Sequence, residues 1–280
     1  MTGGELHEMD FLEDRARKAD EAGDLTSALT LWSELAHRRR DPVFFLRYGH
    51  VARELERWEE AEGAIDEAIR LDPNSALALE LMGILWSKRT DKEDSESFEI
   101  AKRFFLKAAA IDRNPRILTL LGCNYRDLED GAAARAAFSE AIELDPDYEE
   151  ALYNLASVQA ETDPQRSIEL LDRAVTIDPD YFLAHQELGS LYHKLKDLPK
   201  AEYHFLRCLE IDPADYWSLL HLANNLAVQG RNDEAEQRYR VAITMYAEMK
   251  GGYEFFANFL DSIGKQQDAS QVRAAGKLVS

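Results

Sequence analysis

Apolar residues along this chain recur with helical spacing, in short runs broken by tight polar turns. Leu188, Leu191, Tyr192 and Leu195 fall on one helical face, and Lys196 and Asp197 then mark a turn. A ladder of small residues runs through the same pattern. Ala16/Ala28, Gly49/Ala61, Gly122/Ala134, Gly189/Ala201, Ala223/Ala235 and Ala257/Ala269 each stand twelve positions apart. Gly83/Ala101 is wider and Ala156/Ser167 narrower. Twelve residues suit a helix, a turn and a second helix folding back, and small side chains on both partners let the two backbones approach.

Four hairpins close on one signal: Leu71-Asp72-Pro73, Leu144-Asp145-Pro146, Ile177-Asp178-Pro179 and Ile211-Asp212-Pro213. Proline disfavours helical geometry in the residue before it, so each second helix should stop near the aspartate. The last three of these prolines give periods of 33 and 34. The run Leu188-Gly189, Tyr192, Ala201, Phe205, Cys208 and Pro213 resembles the tetratricopeptide repeat, with small residues at positions 8, 20 and 27 and proline at 32.

The resemblance implies an all-α fold, a right-handed superhelical solenoid of about eight helix-turn-helix repeats. It divides the chain into an N-terminal tail over 1–8 and a single solenoid over 9–280. The units are 9–41, 42–75, 76–114, 115–148, 149–181, 182–215, 216–249 and 250–280. In the first, Leu35 and Arg40 replace the small residue and the proline. The last ends in polar Gln271, Arg273 and Lys277, as a terminal cap requires. The third inserts about six residues around Thr90–Glu96, read as a longer solvated turn, with an acidic or phosphorylatable contact loop as the alternative. The fifth is one residue short at Thr162-Asp163-Pro164, where proline can start the second helix.

Composition narrows the partners. Acids outnumber bases 53 to 33, a net charge of −20, so neither nucleic acid nor an anionic membrane is an expected partner. Hydrophobic content of 45% is ample for a core, and the start of the chain, Met1 to Asp10, has no secretion-signal pattern. Two distant cysteines, Cys123 and Cys208, form no disulfide framework or metal pair, which favours the cytoplasm.

Function is expected beside the ladder. In the resembled family, first helices line a concave face at positions 2, 5, 6, 9, 12 and 13. In repeats 2 to 4 those positions hold Val43, Leu46, Arg47, His50, Arg53, Glu54, Leu77, Glu80, Leu81, Ile84, Ser87, Lys88, Arg116, Thr119, Leu120, Cys123, Arg126 and Asp127. Five bases face three acids there, with leucines between. Guanidinium forks bind carboxylates at two points, so an acidic segment with apolar anchors is one expectation. The other is that these arginines pair with acids of neighbouring hairpins, such as Asp10, Glu13, Asp14, Asp20 and Glu21 of repeat 1.

In repeats 5 to 8 the stripe turns to amides and aromatics, with Tyr153, Asn154, Gln186, His193, Trp217, His221, Asn224, Phe255 and Asn258. Amides can hold the backbone of an extended peptide, and Trp217 and Phe255 could anchor an apolar side chain. Packing between adjacent first helices is the alternative for both aromatics. The carboxylate clamp of chaperone cofactors is not expected. Repeat 4 has Thr119 and Cys123 where that clamp needs Lys and Asn, and repeat 6 has Leu183 and Glu187 where it needs Lys and Arg.

No catalytic or phosphate-binding motif stands in the sequence, so an enzyme, a cofactor and a bound metal are not expected. Among seven histidines, His185, His193, His204 and His221 cluster, but their repeat positions point them in different directions. Only His193 and His221 could share the stripe. Cys208 takes the place of a small core alanine, and Arg38-Arg39-Arg40 complements a helix C-terminus or offers an acidic partner a patch. The reading is a non-enzymatic adaptor that binds a protein or peptide segment in its groove. The alternative is a recruiting or regulatory subunit of a larger enzyme or defence complex, using its convex face or edges. Self-association through the ends of the stack stays open.

Overall fold

The computed structural model describes residues 3–89 and 94–278. These form sixteen helices and no strand among the described residues, in consecutive antiparallel pairs. The chain divides into two compact units, Met1–Pro146 and Asp147–Ser280. Unit 1 holds α1 (Gly3–Glu21), α2 (Leu25–Arg39), α3 (Pro42–Glu54), α4 (Trp58–Leu71), α5 (Ala76–Lys88), α6 (Asp94–Ile111), α7 (Pro115–Asp127) and α8 (Gly131–Leu144). Unit 2 holds α9 (Glu149–Gln159), α10 (Pro164–Ile177), α11 (Phe182–Lys194), α12 (Leu198–Ile211), α13 (Tyr216–Val228), α14 (Asn232–Met245), α15 (Lys250–Ser262) and α16 (Gln266–Lys277).

Helix ends follow the sequence signals. Second helices α4, α8, α10 and α12 stop on Leu71, Leu144, Ile177 and Ile211, each capped by the aspartate before proline. Asp24, Asp130, Asp163 and Asp197 open second helices by accepting a backbone N–H bond three residues on. Before that cap, six hairpins place one residue in the left-handed region: Gly23, Glu56, Glu129, Lys196, Gly230 and Gly264. The fifth hairpin omits this residue, which is its missing position, and Pro164 starts its second helix.

Helix α1 begins at Gly3, ahead of the repeat start expected at residue 9. The insertion falls mostly on residues 90–93, outside the described residues, while Asp94, Ser95 and Glu96 belong to α6.

Within unit 1 the first helices α3, α5 and α7 touch in succession, and in unit 2 so do α9, α11, α13 and α15. The core of unit 1 joins Ala16, Trp32, Leu35, Phe44, Ile65 and Met82, with Phe105 and Phe138 buried further along. That of unit 2 joins Phe205, Leu222, Tyr239, Phe256 and Leu260. Cys208 is fully buried, and burial pushes its thiol up to about 11. With the cores filled by the helix faces that carry the ladder, the opposite faces of the first helices are exposed or half-buried, except at position 5, where Leu46, Glu80 and Thr119 are buried.

Candidate functional site

Two cavities in unit 1 share Val43, Arg47 and His50 of α3 and so form one groove. The first, about 500 Å³, is lined by Glu13, Arg17, Asp20 and Glu21 of α1, Trp32 of α2, and Phe44 of α3. The second, about 340 Å³, is closed by Leu46, Leu77 and Leu81 of α3 and α5. His50 is held below its ordinary value, first by burial and then by the charge of Arg53, which favours the neutral imidazole in the groove.

The excess positive charge expected in repeats 2 to 4 is largely cancelled within the chain. Arg53 pairs with Glu54 at 2.5 Å and meets His50 Nδ1 at 3.3 Å. Arg116 of α7 closes on Glu80 of α5, whose carboxyl is raised by burial and lowered again by that arginine. Arg126 lies 3.7 Å from Asp127. Arg47 and Lys88 make no ion pair among the described residues. Arg38, Arg39 and Arg40 are likewise engaged, with Glu8 and Glu34, Asp10, and Glu67.

Glu80 is buried, so removing Arg116 strands a carboxylate without its cation. Arg116→Ala is expected to cost about 1 to 2 kcal/mol of stability. Urea unfolding monitored by circular dichroism reads it, and Glu80→Gln in the same background should restore most of the loss.

In unit 2, His193 of α11 donates from Nδ1 to the Asn225 Oδ1 at 2.9 Å and meets Asn224 Nδ2 at 3.4 Å through Nε2. Asn225 is buried and donates to the Leu198 carbonyl at 2.9 Å, which fixes the ring. His221 stacks on Phe205 at 5.5 Å and Trp217 at 6.3 Å, and burial holds it below its ordinary value. Glu187 is half-buried, and burial raises its carboxyl. Tyr153 packs on Tyr181 at 5.5 Å.

The amides differ in what holds them. Asn154 Nδ2 donates to the Glu150 carbonyl of its own helix at 2.7 Å, and Asn258 Oδ1 accepts from Arg273 of α16 at 2.7 Å. Asn224 is exposed beside His193. The Gln186 side chain is half-buried, and Phe255 is exposed on α15.

The expectation that His185 and His204 point apart is wrong. Position 4 of a first helix and position 23 of its second helix face each other across the hairpin, and the two rings meet Nδ1 to Nδ1 at 3.0 Å. Both are buried, and His185 Nε2 donates to the Pro179 carbonyl at 3.0 Å. No group of three or more metal-ligating side chains comes together among the described residues. No helix there is long and apolar enough to cross a membrane.

Position 2 of the repeat is exposed and apolar in four units: Val43 at 59%, Leu77 at 52%, Leu183 at 45% and Trp217 at 50%. Leu183 was legible only as this recurrence along the chain. Asn225, at position 10, sits on the packed face, and no sequence signal tied it to His193.

A second-helix cavity in unit 1, about 420 Å³, has a different character. Its polar groups are already satisfied, with Tyr48 donating to Glu60 at 3.1 Å, Arg40 to Glu67 at 3.0 Å, and His37 to the Ser33 carbonyl at 2.7 Å.

Helical hairpins that repeat along the chain, core face inward and first-helix face open, define a helical-repeat protein. The chain matches the tetratricopeptide repeat family over residues 13–76, 119–182 and 159–216, more than half its length, and it belongs to that family. Superkiller protein 3 of Schizosaccharomyces pombe is 33% identical over 121 residues, 40% of this chain, and the chain spans 9% of that protein's length. PilF of Pseudomonas aeruginosa shares the fold over 81% of this chain and 99% of its own, with a TM-score of 0.67 at 18% identity. A chain of the Cut9–Hcn1 hetero-tetramer of the APC/C shares the fold over 88% of this chain and 48% of its own, with a TM-score of 0.70 at 15% identity. Yeast Tom70 matches over 98% and 76%, with a TM-score of 0.55 at 14% identity.

Proposed function

We propose that the chain is a non-catalytic binding scaffold that holds a segment of a partner protein along the first-helix faces of its repeats. The observation that carries this reading is the recurrence of exposed apolar side chains at position 2, in Val43, Leu77, Leu183 and Trp217. About half of each side chain stays in solvent in the folded chain, and large apolar groups on a face edged by polar ones commonly anchor partners. In unit 1 Arg47 and Lys88 supply charge beside the anchors that is unpaired among the described residues, while His50, Arg53, Arg116 and Arg126 offer polar groups, the three arginines already seated on carboxylates. Tyr153, Asn154, Gln186, His193, Trp217, His221, Asn224 and Asn258 do so with amides and rings in unit 2.

The test is affinity capture from the native cell with the full chain, its retained partner identified by mass. Leu183→Ser/Trp217→Ala is expected to weaken that partner at least about tenfold, since aromatic anchors carry a large share of binding energy. Thermal unfolding should barely move, because both side chains are half-exposed. Unchanged affinity in this variant and again in Val43→Ser/Leu77→Ser would assign binding to the second helices or the ends of the stack.

A further inference from the structure

Asp20 and Glu21 occupy the last turn of α1, where the helix dipole already places negative charge. Neither makes an ion pair among the described residues. The bases of the same turn and the one before are taken up elsewhere, since Arg17 and Lys18 both close on Asp14, at 3.0 and 2.7 Å. Two uncompensated carboxylates therefore stand where local structure disfavours them, and both line the groove of unit 1. Buried Trp32 lines the same cavity, and its indole N–H has no partner among the described residues. That donor is left unsatisfied by folding alone.

The adjoining cavity is apolar. Val43 and Leu77 form its exposed lips, Leu46 and Leu81 its walls, and its volume of about 340 Å³ admits a branched aliphatic side chain. Arg47 stands between the two cavities.

We infer that unit 1 docks a segment in which a lysine or arginine lies close to a branched aliphatic residue. The cation enters between Asp20 and Glu21, and the aliphatic side chain enters between Val43 and Leu77. This rests on the reading that the first-helix face binds a partner segment, and it names the chemistry of that segment. Charge complementarity favours the cation. Its two acceptors are unpaired, and the chain's net charge of −20 steers basic segments toward it. An acidic segment would have to displace carboxylates already seated on Arg53 and Arg116, and would find only Arg47 between the cavities.

The test selects peptides from a random display library on the immobilised full chain, then measures the synthetic consensus peptide by fluorescence anisotropy at low and at physiological salt. The expected consensus places Lys or Arg within a few residues of Leu, Ile or Val. Asp20→Asn/Glu21→Gln should weaken it at least about tenfold and flatten its salt dependence, since two charge-assisted contacts are lost. Leu77→Ser should weaken it without changing the salt dependence, and neither variant should unfold at a lower temperature than the parent, Asp20→Asn/Glu21→Gln being if anything more stable because it removes negative charge from a helix C-terminus. A consensus rich in Asp or Glu that fails on Arg47→Ala overturns the inference while keeping the groove. So does a basic consensus indifferent to Asp20→Asn/Glu21→Gln. Peptides that bind undiminished with Val43, Leu77 and Trp217 all replaced by serine overturn the groove reading itself, and no enrichment at all overturns the inference.

Discussion

Gly189→Val is expected to cost about 3 kcal/mol of folding stability, the upper end for a side chain forced into a filled core. A Cβ at Gly189 would lie 2.5 Å from Cε1 and 2.7 Å from Cδ1 of Phe205. Phe205 is only 1% exposed, so its ring has nowhere to retreat. The same geometry recurs at Gly122 over Phe138 and at Gly83 over Phe105. Gly49 differs, because its nearest neighbour is the flexible Ile65 side chain at 2.7 Å, with the Ala61 carbonyl oxygen at 3.2 Å. Urea unfolding of the full chain measures the loss. Phe205→Ala alone opens a cavity and is itself costly, but in the double variant the valine partly fills that space, so the two losses should fall well short of additive. Strictly additive losses would mean that the ring is not what the glycine accommodates.

That pairing shows where sequence and structure part. The ladder located the hairpins because small residues twelve apart recur whatever else changes. It also placed Cys208 in the core, and the Asp-Pro signals placed four helix ends. Yet the space left by Gly122 and Gly189 is filled by the phenylalanine sixteen residues on, a residue that a small-to-small spacing does not mention. The site divides in the same way. Which residues lie on the first-helix face follows from repeat position, and the exposed apolar set at position 2 was readable as a recurrence. Which of them are already engaged was not. Arg116 finds Glu80 on the preceding first helix, 36 residues away, and Asn258 finds Arg273 on the last helix. Such pairings depend on distances between helices that a one-dimensional stripe does not contain. His185 and His204 make the same point, since helical-wheel positions on separate helices say nothing of how the two wheels face.

Acidification from pH 6.5 to about 4 is expected to remove about 3 kcal/mol of stability through His204, with further loss from His221. Burial holds His204 down to about 4, with His185 and then Lys200 adding repulsion. The direction follows from which state takes the proton. In the unfolded chain the imidazole protonates near 6.5, whereas in the fold it stays neutral until about 4, so the unfolded state is favoured progressively as pH falls between those values. The stabilisation is whole above pH 6.5 and gone below about 4. Asp172 and Glu187, whose carboxyls burial raises, bind protons more readily in the fold and oppose the loss only near the carboxylate range. The histidine effect therefore dominates from pH 6.5 down to about 5. Tyr192 stacks on His204 at 5.6 Å and Tyr203 meets it edge-on at 5.0 Å, so His204→Phe keeps the ring packing and removes the proton. Urea unfolding across that pH range should show a stability slope in the parent that flattens in His204→Phe, whatever constant offset the lost His185 bond introduces. An equal slope in both proteins would show that the buried pair does not govern the acid sensitivity of the fold.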